Sequence, residues 1–282
     1  MSDLALPTAP STAAELYLDL LKRVLTRALF PEHLHRVEYP RGDARRTLFA
    51  PLQRMLASRD MAVVRRSAQD SALRETGRDW PADAESMIGL RRMENLQACV
   101  TDVLNRGVPG DLIETGVWRG GAVIFMRAIL KAYGDESRAV WVADSFEGLP
   151  KPDARYAADA GDRFHAFDTL AVSLEQVREN FRRYGLLDSR VKFLKGWFKD
   201  TLPAAPVERL AVARLDGDMY ESTMDALRAL YPKLSVGGYL IVDDFGTVPG
   251  CRKAVEDYRA EHRISEPIAD IDGWGAYWRR ER

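Results

Sequence analysis

The chain of 282 residues is 46% hydrophobic and 29% charged, the balance of a globular protein with a sizeable core. Its 41 Lys+Arg nearly cancel 42 Asp+Glu, leaving a formal charge of -1, which argues against nucleic acid or an anionic membrane as a partner. No apolar run approaches the roughly 18–20 residues that span a bilayer, and the start MSDLALP has no basic and apolar signal-like segments.

Residues 1–12, rich in Ala, Pro, Ser and Thr, read as a frayed tail. From Ala13 to Leu29 the apolar residues recur at helical spacing behind a Ser11 or Thr12 cap. Residues 31–80, broken by Pro31, Pro40, Gly42, Pro51 and Gly77, suggest short helices and loops over a core. A second amphipathic helix is expected from Ser86 to Arg106, ending at the Gly107–Gly110 breaker. Residues 13–110 thus read as an N-terminal helical arm and cap.

Beyond Gly110 the pattern changes. DLIETG (111–116), AVWVADSF (139–146), VKFLKGWF (191–198), LAVARLDGD (210–218) and GYLIVDDF (238–245) are short apolar runs with polar ends. Helical segments at 119–133, 173–185, 221–232 and 251–262 separate them, so residues 111–282 predict an α/β domain on a mainly parallel sheet, buried on both faces. ADIDGWGAYWRR reads as a closing hairpin. Residues 150–172 form a long connection at the carboxyl edge of the sheet, where lids and binding loops lie. Cys99 and Cys251 have no metal-like spacing and read as reduced thiols of a cytoplasmic protein.

In open α/β sheets ligands bind beyond the carboxyl ends of the strands. The first strand ends Glu114-Thr115-Gly116-Val117-Trp118-Arg119-Gly120, spaced E-x-G-x-x-x-G. Trp118 stands where a dinucleotide fingerprint needs its second glycine, so a pyrophosphate is disfavoured; a plain glycine turn is the competing reading. Asp144, ending the second strand with Ser145, suits the two hydroxyls of a ribose. The third strand ends Gly196-Trp197-Phe198, where Trp197 serves an adenine pocket or packs in the core. Together these features indicate a nucleoside ligand without phosphates.

Four carboxylates crowd the ends of the fourth and fifth strands: Asp216, Asp218, Asp243 and Asp244. Such a cluster repels itself unless a cation is bound, and an all-oxygen donor set favours Mg²⁺, with Ca²⁺ or Mn²⁺ as options. The competing reading makes some of them helix caps. His33, His35, His165 and His262 follow no ligand spacing; His165 lies in the expected lid.

The stretches ELYLDLLKRVLTR, ESMIGLRRMENLQ, GDLIETGVWRGGAVIFMRAILKAYG, VWVADSFEGLPKP, RRYGLLDSRVKFLKGWFKDTLP, LDGDMYESTMDALRALYPKLSVGGYLIVDDFG and AYWRR resemble the macrocin O-methyltransferase family, which methylates sugar hydroxyls of glycosylated natural products. The resemblance implies a Rossmann-like class I methyltransferase with a seven-stranded sheet and a C-terminal antiparallel hairpin. It implies S-adenosylmethionine and Mg²⁺ as cofactors, and a glycosylated small molecule as acceptor. Glu114, Gly116 and Arg119 would then serve the methionine part of the cofactor, Asp144 and Ser145 the ribose and adenine side, and Trp197 the adenine. Met87 and Ile88 would close over it, with Thr115, Gly196 and Asp216 completing the cofactor set. Asp216, Asp243 and Asp244 would be the metal ligands and Asp218 the general base. Residues 31–75 and 150–172 carry no match and are expected to choose the acceptor.

The chemistry needs an aligned acceptor oxygen, a Lewis acid to stabilise the developing alkoxide, and a base within reach. A catechol-type O-methyltransferase is the alternative, since the same ion suits any vicinal diol. A phosphohydrolase is disfavoured by the missing phosphate loop, and a silent cofactor-binding protein by the intact aspartates. The helical arm suggests a homo-oligomer, a dimer or higher.

Overall fold

The computed structural model describes residues 12–37, 39, 42–81 and 83–282, so the tail expected at 1–12 lies outside it except for Thr12. Thr12 opens α1 (Ala13–Leu25) with a reciprocal cap: its hydroxyl accepts from the Glu15 amide (3.2 Å), and the Glu15 carboxylate accepts from the Thr12 amide (2.9 Å). The helix stops four residues short of Leu29. Thr26 turns its hydroxyl back to the Lys22 carbonyl, and Arg27 adopts a left-handed φ of 61°.

Residues 31–80 hold more than helices and loops. β1 (Glu32–Arg36) pairs antiparallel with β2 (Val64–Ala68) in a separate two-stranded sheet, bracketing α2 (Ala44–Ala57) and followed by α3 (Ser71–Thr76). The alternation EHLHR carries too little apolar residue to announce a strand, which is why the sequence missed it. α4 (Leu90–Asn105) starts at Leu90, not Ser86. The buried Arg74 guanidinium donates to the Met87 and Ile88 carbonyls (2.7 and 2.9 Å), so a side chain takes up backbone acceptors just ahead of the helix.

The main domain follows the expected alternation: β3 (Asp111–Thr115), α5 (Gly121–Ala132), β4 (Val140–Asp144), α6 (Leu174–Arg183), β5 (Val191–Lys195), α7 (Phe198–Thr201), β6 (Leu210–Leu215), α8 (Tyr220–Leu230), β7 (Leu234–Val242), α9 (Pro249–Glu261), β8 (Ala269–Asp270) and β9 (Ala276–Arg279). The sheet has seven strands in the order β5-β4-β3-β6-β7-β9-β8; the first five run parallel, β9 pairs antiparallel with β7, and β8 pairs antiparallel with β9. β7 begins four residues before Gly238, because a register shift against β6 lets the strand continue across the Gly237-Gly238 pair.

Successive strand residues face opposite layers. Leu112, Val140 and Val142 join α1, α4, α5 and α6 in one apolar cluster. Ile113, Trp141 and Ala143 join α8, α9 and Trp278 in the other. Packing therefore runs across residue 110: α1 and α4 cover the same sheet face as α5. Strand order reverses between β3 and β6, and the crevice at such a reversal is where open α/β sheets bind ligands.

Candidate active site

A cleft opens at that reversal, lined by Met87, Gly116, Trp118, Asp144, Ser145, Leu170, Trp197, Asp216 and Asp218 among others. Gly116 has a φ of 83°, and a Cβ there would overlap the Asp216 backbone, so only glycine lets the ends of β3 and β6 meet. Asp144 pins the side of the cleft where the cofactor is expected. One carboxylate oxygen accepts from the Val117 amide (2.7 Å) and the other from the Phe146 amide (2.7 Å), fixing both strand-end loops against each other. Burial raises its pKa against the pull of those amides. Ser145 caps its own turn, donating to the Gly148 carbonyl (2.7 Å). The Gly196 amide donates to the Asp144 carbonyl (2.9 Å) and so brings Trp197 to the wall of the cleft.

Other expected cofactor residues lie behind the wall. Thr115 is fully buried in β3, and the Ile88 side chain packs into the core. Arg119 lays its guanidinium over the Trp118 ring (4.3 Å) and donates to the Ala84 carbonyl (3.0 Å). Glu114 is buried and paired with Arg214, yet burial and the nearby Asp216 and Asp243 outweigh that cation and raise its pKa to about 8. Its second oxygen has no hydrogen-bond partner among the described residues.

The four aspartates divide. Oxygens of Asp216, Asp218 and Asp244 come within 4.8 Å of one another, a spacing that suits one ion. Asp243 faces the other way: its two oxygens accept from Arg92 and Arg214. Arg214 also donates to Asp216 (2.8 Å), and Arg92 to Asp272 (3.1 Å). Burial, then repulsion from Asp243, raises Asp216 to about 6. Burial, then mutual repulsion, pushes Asp218 and Asp244 well above the ordinary carboxylate range. One Asp244 oxygen is buried without a partner among the described residues. A hard divalent cation fits these donors: it would answer both the repulsion and the orphaned oxygen.

Sequence reasoning overlooked Arg214, Arg92, Arg74 and Asp159. For Arg214 a signal existed: one charge inside LAVARLD, a run that must be buried on both faces, requires acids around it.

A family profile described as macrocin O-methyltransferase (TylF) matches residues 14–280. The chain is 53% identical over 269 residues to an 8-demethyl-8-(2,3-dimethoxy-alpha-L-rhamnosyl)-tetracenomycin-C 4'-O-methyltransferase of Streptomyces olivaceus, covering 95% of this chain and 93% of that one. It is 48% identical over 276 residues to the mycinamicin III 3''-O-methyltransferase of Micromonospora griseorubida, covering 96% and 99%. Among solved structures, the O-methyltransferase NovP superposes with a TM-score of 0.83 at 48% identity over 95% of this chain and 100% of that one. The calicheamicin methyltransferase CalS11, 19% identical with a TM-score of 0.56 over 86% and 95%, shares the fold. The protein is an O-methyltransferase of the class I α/β fold, and the chain belongs to the macrocin O-methyltransferase family.

Proposed function

We propose that the protein transfers the methyl group of S-adenosylmethionine to a sugar hydroxyl of a glycosylated small molecule, assisted by a divalent cation, Mg²⁺ by preference. The observation that carries this reading is an adjacency: the cleft lined by Gly116, Asp144, Ser145 and Trp197 opens onto the clustered carboxylates of Asp216, Asp218 and Asp244. The acceptors named for the relatives, a rhamnosyl tetracenomycin among them, support a sugar.

Asp144, Ser145, Gly116, Trp197 and Met87 would hold the cofactor, with the Asp144 pin keeping both loops in place before binding. Glu114, Thr115, Ile88, Arg119 and Gly196 would act from behind by shaping those loops. Asp216 and Asp244 would hold the cation. Asp243 would join them through the acceptor capacity that its two arginine bonds leave. An ion bound there supplies Lewis-acid stabilisation for charge developing on the acceptor oxygen. Asp218 takes the proton of the attacking hydroxyl, and its raised affinity for protons suits that role. Residues 150–172 exclude water, with Leu170 at the cleft and the Trp118 indole donating to the Thr169 carbonyl (2.8 Å).

We read residues 31–75 and 150–172 as choosing the acceptor. The groove walled by Tyr39, Gln53, Met61 and Phe167 joins the two segments, and Arg46 pairs with Asp168 across it (2.5 Å). We also read the protein as a cytoplasmic homo-oligomer. Support comes from α2, which exposes Leu48, Leu52 and Met55 and buries none of its residues, and from two buried free thiols, Cys99 and Cys251. Among the described residues no helix is long and apolar enough to cross a membrane.

The test incubates the protein with S-adenosylmethionine and a rhamnosylated aromatic polyketide, with and without excess chelator. Methylated glycoside should form with Mg²⁺ and disappear with chelator. Full turnover in chelator would remove the cation from the mechanism, and product on a free catechol but on no glycoside would replace the acceptor class.

A further inference from the structure

We propose that Asp159 is a positioning residue for the transfer, a clamp that ties segment 150–172 to the turn carrying Asp218. The proposal rests on the reading of Asp218 as the base. Asp159 ends a short turn, Ala157–Asp159, in a largely exposed segment, yet is only 3% exposed itself. Its two oxygens accept from the Tyr220 amide (2.6 Å) and the Glu221 amide (3.0 Å), the first two of α8. The helix has no cap of its own, since Met219 precedes it without a side-chain bond. A carboxylate 61 residues away fills that place, where the unpaired amides and the helix dipole both favour negative charge.

What is held is the base's own turn. Asp218 has a left-handed φ of 55°, and the Met219 amide folds back onto the Gly217 carbonyl (2.6 Å). A non-glycine residue keeps that conformation only where its surroundings impose it. Asp159 fixes the amides two and three residues beyond Asp218. The same carboxylate also abuts the start of α9, the helix after Asp243 and Asp244. A Cβ on Gly250 would lie 2.8 Å from its Oδ1 and 3.1 Å from the Tyr220 nitrogen. The Tyr156 and Tyr220 rings pack alongside, with centroids 5.6 Å apart. At its far end the segment reaches the cofactor cleft through Thr169 and Leu170. Ordering the segment over the cleft and setting Asp218 are therefore one event.

The test uses two variants. Asp159→Asn keeps the shape and can accept only one of the two amides. Gly250→Ala presses a methyl against the clamp and leaves its charge in place. In both, amide exchange should accelerate together in residues 157–171 and 218–222, by about tenfold or more. The affinity for S-adenosylhomocysteine should stay within about threefold. With the rhamnosylated polyketide as acceptor, kcat should fall by about tenfold or more while the acceptor KM stays within about threefold. Acceleration confined to one segment, or unchanged kcat when both accelerate, overturns the clamp. If the unaltered protein methylates no glycoside, the functional reading falls, and the exchange pattern still decides the clamp.

Discussion

Arg214 gives the β6 strand a charge at a position covered on both faces, and three carboxylates answer it: Glu114, Asp216 and Asp243. With Arg92 bridging Asp243 and Asp272, it forms a back network in which acids and guanidinium groups compensate one another. In front stand Asp218 and Asp244, which have no ion pair among the described residues. This division predicts different defects for neighbouring aspartates. Asp218→Asn keeps size and most bonding capacity but cannot accept a proton, so turnover at saturating Mg²⁺ should fall by roughly 10²–10⁴-fold. Mg²⁺ and cofactor affinities, read by calorimetry, should change little. Asp244→Asn should instead raise the Mg²⁺ concentration needed for half-maximal rate. Asp243→Asn takes one counter-charge from two buried guanidinium groups, which keep Glu114, Asp216 and Asp272, and should cost about 1–3 kcal/mol in urea denaturation. Near-normal turnover of Asp218→Asn would pass the base role to another group, with His165 next to test. A raised Mg²⁺ requirement without lost stability in Asp243→Asn would make Asp243 a ligand first.

At the scale of elements, the segment between α3 and α4 shows how the N-terminal part serves the site. Arg74 is fully buried, pairs with Asp79 (3.1 Å), and holds the Met87 and Ile88 carbonyls, so Met87 is fixed at the cleft by backbone. Arg74→Met should remove about 3–5 kcal/mol of stability, the cost of stranding a buried acid. It should also weaken S-adenosylhomocysteine binding several-fold, because Met87 loses its anchor. Unchanged cofactor affinity in a destabilised protein would confine Arg74 to the fold. The strands of the main sheet were legible because their apolar runs must be buried on both faces, and the Gly116, Asp144 and Asp216 strand ends were legible for the same reason. β1 and β2 were not, since His33, His35, Arg65 and Arg66 carry no pattern a core would impose. Nor was Asp159: in sequence it is one acid among several in a turn-rich stretch, and only the three-dimensional meeting with Tyr220 and Gly250 distinguishes it. The orientation of Asp243 was equally hidden, because partners from α4 and β6 decide it.

For the whole molecule, the carboxylate edge sets how stability depends on pH. Glu114 is raised to about 8 and Asp216 to about 6, while Asp144, Asp218 and Asp244 are also raised, burial being the leading cause each time. The unfolded chain releases these protons near the ordinary carboxylate range of about 4, and the cation-free native state keeps them longer. Native protein then binds more protons than unfolded protein, so stability falls as pH rises from about 5 to about 8. Acids held low by partners, such as Asp188 beside Arg127, act below that window, and His35, lowered by burial, opposes the trend below its ordinary value of about 6.5. Those five carboxylates outnumber that histidine. A divalent cation at Asp216 and Asp244 would displace the protons and flatten the curve. It would also add stability by mass action, about 2.7 kcal/mol at a hundredfold excess over Kd. For a chain this size that is roughly 5–10 °C. Thermal unfolding between pH 5.5 and 8.5, in chelator and in Mg²⁺, should give two curves that converge at the acid end and separate toward the alkaline end. Parallel or superimposed curves would mean that the carboxylates do not bind the ion, whatever the ion does for turnover.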